Sequence, residues 1–183
     1  YGTTQAGVGV QIQDQFGNNV SQSGTSISIA LNGSGTLGGT TSASTGAAGL
    51  ATFSTLTVNR VGSKTLTASA ATLTSDTSSA FTINAKPITV TAVIDSKTYD
   101  GITSSAGTPT ITGGLAFSDT ANFTQTFITK DVGTGKTLAS TGSVNDGNSG
   151  NNYTYTFTTV STGTITAGTV TYVADAKARL YGA

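Results

Sequence analysis

The sequence predicts an all-β chain of two β-sandwich modules in tandem, followed by a strand-like C-terminal segment, and three observations predict it. Apolar residues recur at period two in short runs between turn signals, with no helical period anywhere. Thr and Ser make up roughly a third of the residues, and Thr is a β-branched residue suited to a pleated, half-wet surface. Finally, Lys97-Thr98-Tyr99-Asp100-Gly101 has a partial echo at Arg179-Leu180-Tyr181-Gly182, with Thr89/Thr171, Ala92/Ala174 and Lys97/Arg179 in the same register. A repeat at about domain size indicates a string of modules, and the chain reads as a piece of a longer one.

In the first module, residues 1–85, Val8, Val10 and Ile12 alternate with Gly9, Gln11 and Gln13, as one buried strand face requires. Asp14 to Val20 holds turn residues. Ile27, Ile29 and Leu31 mark the next strand, and Leu37 a short one. Thr40 to Gly49 reads as loop with at most a brief edge strand. Leu50 to Phe53, Leu56 to Val58, Leu66 with Ala68, and Phe81 with Ile83 complete the module. Asn84 to Pro87 is the linker. Pro87 fixes its own φ and pushes Lys86 toward an extended backbone, so the joint is short and semi-rigid.

The second module, residues 86–168, opens with Ile88, Val90 and Ala92 and reaches the turn at Tyr99, Asp100 and Gly101. Thr108 to Ile111 is a short strand at an edge, because Pro109 cannot donate to a ladder. Phe123, Gln125 and Phe127 share one face of a longer strand. Lys130 to Lys136, with Asp131, Gly133 and Gly135, reads as a turn, and Leu138 and Val144 mark two strands after it. Asp146 to Asn152 is a further turn. Tyr153, Tyr155 and Phe157 then stand on one strand face, and Ile165 with Ala167 closes the module. The predicted core is Phe123, Phe127, Phe157 and Ile165 with one face of Ile88 to Ala92. Residues 169–183 read as the start of a further repeat, with a strand over Thr169 to Ala174, or as a strand-exchange tail.

Three stretches of the first module carry a resemblance: Asp14-x-x-Gly17-Asn18-x-Val20, Gly49 to Phe53, and Gly62 to Ala68. Together they are similar to the immunoglobulin-like repeats of invasin-type bacterial surface proteins. Such repeats begin with a strand before Val8, and only Tyr1 to Ala6 remain to supply it. Lys97 to Gly101, Lys130 to Lys136, Gly150 to Thr154 and Gly163 to Ala167 make the second module resemble the YDG repeat of large bacterial adhesins and filamentous-haemagglutinin-like exoproteins. The tail, Tyr172 to Ala176 with Tyr181 and Gly182, looks like the opening of the mostly-β (MBG) repeat. The resemblance implies immunoglobulin-like sandwiches and a place outside the bacterial cell, at its surface or secreted.

Composition narrows the chemistry. Charged residues are 9%, eight basic and eight acidic, which removes the basic footprint of a nucleic-acid binder. No run is long and apolar enough to enter a membrane. There is no Cys, so packing and ladder hydrogen bonds must hold the modules, and no His, so the usual base and transition-metal ligand is missing. No nucleophile–base pair is assembled, so neither catalysis nor a cofactor is expected.

Several local patterns have two readings. Tyr99-Asp100-Gly101 could be a binding epitope. Turn chemistry accounts for it better: Tyr99 packs its ring and anchors its hydroxyl, Asp100 caps the turn, and Gly101 takes a positive φ. Asp131, Gly133, Gly135, Asn152 and Tyr153 are read as structural motif residues of the same kind. Gly133-Thr134-Gly135-Lys136 lacks the first glycine of a phosphate loop. Asp146, Asn148, Asn151 and Asn152 offer oxygens for a weak Ca²⁺ site, against an ordinary Asx-rich loop. An isopeptide bond from Lys86, Lys97 or Lys130 would need a buried, uncharged lysine. The three sequons at Asn32, Asn122 and Asn152 arise by chance in a Thr-rich chain.

The expected function is that of a structural repeat fragment of an extracellular bacterial adhesin stalk or fibre. It spaces or presents binding regions, with neighbouring repeats as partners and other copies joined head to tail by strand addition. The alternative is a module that recognises a carbohydrate or a host surface protein through loops or an aromatic face. An exposed Tyr153 or Tyr155 beside a groove would favour that alternative.

Overall fold

The computed structural model describes residues 1–4, 7–179 and 181–182. Gln5, Ala6, Leu180 and Ala183 lie outside them, and with these part of the expected opening strand and of the closing segment. Among the described residues the chain is all-β, with strands in two groups that share no ladder. The first group runs to Ile83 and the second begins at Lys86, leaving Asn84 and Ala85 between them.

The first group comprises β1 (Val8–Gln11), β2 (Ser26–Asn32), β3 (Leu37–Gly38), β4 (Ser42–Ser44), β5 (Leu50–Phe53), β6 (Thr57–Val58), β7 (Gly62–Ala70), β8 (Leu73–Thr77) and β9 (Phe81–Ile83). One sheet has the order β4-β2-β7-β8, with β9 pairing the start of β7. Opposite it lie the pairs β1-β5 and β3-β6, and Thr4 bridges to Thr57. Alternation sets the faces: Ile27 and Ile29 are buried while Ser26 and Ser28 are exposed, and Ala51 and Phe53 are buried while Leu50 and Thr52 are not. These residues meet Leu56 and Leu66 in the core. Gly49 has φ +75°, and a Cβ there would collide with the Val20 carbonyl oxygen. Only glycine lets β5 start against the turn of residues 14–20.

The second group comprises β10 (Lys86–Thr91), β11 (Ser96–Thr98), β12 (Thr110–Thr112), β13 (Thr120–Phe127), β14 (Gly133–Asn145), β15 (Tyr153–Thr158) and β16 (Val160–Thr166). A three-stranded sheet, β12-β10-β15, faces a four-stranded one, β11-β16-β14-β13. The β10/β15 and β11/β16 ladders are parallel. Ile88, Val90, Val144 and Tyr153 form one buried cluster, and Ala92, Phe127, Leu138 and Ile165 another.

The structure corrects several expectations. The turn at residues 130–136 ends early, because β14 begins at Gly133 and continues unbroken to Asn145 where two strands were expected. The glycines there serve register shifts against β16, between Thr134 and Lys136 and between Lys136 and Leu138. Strand β8 has no counterpart among the expected strands. It is exposed at every position, so it shows no apolar alternation. Pro109 immediately precedes β12, which is an edge strand.

Phe157 is not a core residue. It is 44% exposed, at the end of an edge strand where Phe123 and Tyr155 are its aromatic neighbours. Thr169 to Ala174 forms no strand, and Val170 and Tyr172 are 78% and 94% exposed. The segment pairs with no sheet edge, and a lone strand has no stability of its own.

Candidate functional site

The two strand groups meet at a polar joint built around the turn between β14 and β15. Asp146 Oδ1 accepts from the backbone N–H of Asn148 (2.7 Å) and Gly150 (2.8 Å), and its Oδ2 from that of Asn152 (2.9 Å). So organised, the turn presents Asn152, which is fully buried. Asn152 Oδ1 accepts from the Asn148 amide (2.9 Å) and from Val61 N–H (3.2 Å) of the first group. Its backbone carbonyl accepts from Lys86 N–H (2.9 Å). One residue thus bonds to β10 and to the loop ahead of β7.

Tyr1 closes the joint from the other side. Its main-chain nitrogen donates to Asn84 O (2.8 Å) and its hydroxyl to Asp119 Oδ2 (2.8 Å). The Tyr153 hydroxyl donates to the same oxygen (2.7 Å) and accepts from Ala116 N–H (2.8 Å). The Tyr1 ring meets Tyr153 and Phe117 edge-on, at 5.5 and 5.4 Å between centroids. Tyr1 thereby packs into the second group's core.

This geometry fixes protonation in a readable way. Burial alone would raise the Asp146 carboxyl, but the N–H groups of Asn152, Gly150 and Asn148 outweigh it and hold it below the ordinary 3.8. Its contribution to stability is present above pH 3.8 and is lost as pH falls through the lower folded value. The melting temperature should therefore drop on acidification below that point, and Asp146→Asn should flatten part of the drop. Burial and then the Asp119 carboxylate push the Tyr153 phenol up to about 12, from 10.0, against the opposing Ala116 N–H. Stability from this group is complete below pH 10.0 and declines as pH rises toward 12, so Tyr153→Phe should blunt alkaline unfolding.

The remaining motif residues lie at the opposite end. Asp100 Oδ1 accepts from Ile102 N–H (3.1 Å) and pairs with Lys97 Nζ at 2.7 Å, and Gly101 has φ +84°. Lys97 Nζ also donates to the carbonyls of Ile102 (2.9 Å) and Ser104 (3.1 Å), so it ties down the loop from Asp100 to Ser104. The anchored, packed Tyr99 of the sequence reading is corrected. Tyr99 is 43% exposed, and its hydroxyl makes no hydrogen bond among the described residues. Lys97 and Asp100 suffice to hold the turn. Asp131 is exposed in the bend before β14, and Gly133 and Gly135 occupy its first turn of ladder, with φ +150° and +67°. Asn152 and Tyr153 are thus brought together at the joint, whereas Tyr99, Asp100, Gly101, Asp131, Gly133 and Gly135 cluster far from it, around the Ile165 end of β16.

Residues 84–163 match the model of the YDG domain family. A YDG domain is thus detected over residues 84–163, less than half of the chain. No curated protein matches the chain. The YDG domain spans β10 to the first part of β16, so the joint and the Tyr99 turn are its two poles.

Other candidate chemistry finds different uses. Both Asp146 oxygens face N–H donors, and no cluster of three metal-ligating acids exists among the described residues. The Gly133–Lys136 run is strand. The buried lysine is none of those named from sequence. It is Lys64, 3% exposed, with Nζ donating to Val61 O (3.0 Å) and Ser34 Oγ (3.3 Å). Burial, then Arg60, lowers its pKa. Its strand position in β7 carried the signal: Lys64 shares the inward face with Leu66 and Ala68.

Proposed function

We propose that this chain is a spacing unit of an extracellular bacterial surface protein, an adhesin stalk or fibre, that holds neighbouring repeats at a set angle and carries no reaction chemistry. The observation that supports this reading is the joint. A two-residue linker is flanked by hydrogen bonds that Asn152 accepts from Val61 N–H and Lys86 N–H, and by Tyr1 bridging Asn84 and Asp119. Such a joint is far stiffer than a Gly/Ser tether, whose ends wander as a random coil. Immunoglobulin-like architecture of the first group and an MBG-type beginning in the tail belong to the same proposal. Spin labels on Ser23→Cys and Thr141→Cys, one in each strand group, test it by the width of their distance distribution. A narrow distribution is expected, and a broad one in the wild-type background would overturn the spacer role.

A second reading, recognition of a surface glycan or host protein, has one observation in its favour. A polar cleft of about 760 Å³, lined by Thr120, Asn122, Ser143, Asn145 and Asp146, lies beside the joint turn. Tyr153 and Tyr155 do not serve that reading. Tyr153 is buried, and the Tyr155 hydroxyl is bonded to Gly150 O (2.8 Å) and Val144 N–H (3.1 Å). Binding on a glycan array that is lost in Asn122→Ala would favour it.

A further inference from the structure

A second cleft, of about 360 Å³, opens across the joint itself and shares only Asp146 and Gly147 with the cleft at Asn122. One wall belongs to the first strand group, with Thr36, Asn59 and Arg60, and the other to the YDG domain, with Asp146 and Asn148. Ligand pockets favour such boundaries, and this one is at the small end of their usual ~300–1,000 Å³. It has room for one ring-sized ligand. Its lining holds no aromatic residue and no large aliphatic one, so a lipid, a nucleobase or an apolar peptide side chain finds no surface there.

The two walls differ in the hydrogen-bonding capacity they have left. On the first, the Arg60 guanidinium makes neither a hydrogen bond nor an ion pair among the described residues. Asn59 spends its Oδ1 on Thr36 N–H (2.6 Å), which leaves both N–H groups of its amide free. On the second, Asn148 spends its amide nitrogen on Asn152 and keeps an open Oδ1, while Asp146 Oδ2 accepts a single N–H. Donors therefore face acceptors across the gap.

Charge is divided in the same way. Lys64 lies near enough to Arg60 for the two cations to oppose each other, and neither is paired with an acid among the described residues. Arg60 and Asp146 line one cleft without forming an ion pair, so the protein's own charges do not close it. The Asp146 charge is already shared among three N–H groups. The first wall is left with unbalanced positive charge.

We infer that this cleft binds a single acidic sugar unit, a uronate, with its carboxylate on the Arg60 guanidinium and its hydroxyls shared among Asn59, Asn148 and Asp146. The planar N–H fork of arginine matches a carboxylate with two parallel bonds. Ring hydroxyls both donate and accept, so they can bridge a donor wall to an acceptor wall. The inference deepens the recognition reading, on which it rests, and moves its site to the joint.

Titration of the full chain with sodium glucuronate, followed by NMR, tests it. Saturable shifts should appear in the side-chain amides of both Asn59 and Asn148, on opposite walls. Glucose, which has the ring without the carboxylate, and acetate, which has the reverse, should each bind more weakly by about tenfold or more. Arg60→Gln keeps the aliphatic stem and should weaken glucuronate binding by about tenfold or more, through lost charge-assisted bonds. Asn59→Asp keeps an acceptor for Thr36 N–H, and its carboxylate should pair with Arg60, repel the ligand and weaken binding as strongly. Asn122→Ala should bind glucuronate as the wild type does. No saturable binding, binding unchanged in either joint variant, or glucose or acetate held as tightly as glucuronate would each overturn the inference. Glycan-array binding that depends on Asn122 and not on Arg60 would keep the recognition reading and overturn only this site.

Discussion

Phe127→Ala is expected to destabilise the YDG domain by about 3–5 kcal/mol, the cost of removing a fully buried aromatic ring and leaving most of its cavity. Phe127 is 1% exposed and packs with Ala92, Leu138 and Ile165, so the elements of both sheets meet at this ring. Gly163 presses on it closely enough that an added Cβ would come within 2.8 Å of the ring. Little collapse is available to fill the gap. Phe157→Ala is the contrast: 44% exposed at the sheet edge, it should cost about 1 kcal/mol, mostly from its contacts with Tyr155 and Phe123. Urea unfolding of the two variants measures both. A loss under about 1 kcal/mol for Phe127→Ala would show that the ring is not packed as described.

The second large effect belongs to the joint. Asn152→Ala leaves the partly buried Val61 N–H and Asn148 amide without the acceptor that the fully buried Asn152 side chain supplies. At about 1–3 kcal/mol for each stranded donor, with some relief from local relaxation, the loss should be about 2–4 kcal/mol. A purely local role would show in stability alone. A role in alignment should also broaden the distance distribution between labels at residues 23 and 141. An Asn152→Ala chain with wild-type stability and a narrow distribution would remove this residue from the account.

Much of the architecture was legible because alternation is a direct record of burial. Ile27 and Ile29, Ile88 and Val90, and Gln125 and Phe127 each sit on the inward face that their spacing indicates. Where the physical cause of burial is weak, the record is silent. Strand β8, Leu73–Thr77, lies at an edge and packs too little apolar surface to alternate. The glycines at 133 and 135 signal a local backbone demand, and sequence alone does not distinguish a turn from a bulge in a long strand. Lys64 is not legible as a buried residue because a charged head group argues for exposure, yet its aliphatic stem follows the inward face of β7. The joint was the least legible part. Asn152 reads locally as a turn residue, and its bond to Val61 joins positions 91 apart in the chain.

The parallel β10/β15 ladder has a consequence for a protein held under tension. The chain enters the YDG domain at Lys86, the joint end of β10, and leaves through β15 and β16 toward the opposite pole. Pulling on the two ends draws β10 and β15 past one another along their length. The six register pairs from Lys86/Tyr153 to Thr91/Thr158 are loaded in shear, all at once. The shorter β11/β16 ladder is oriented in the same sense. An antiparallel hairpin pulled at its open end would instead unzip one pair at a time. Stretched between its neighbours, the domain resists as a bolted lap joint does, and yields only when the whole ladder gives way together.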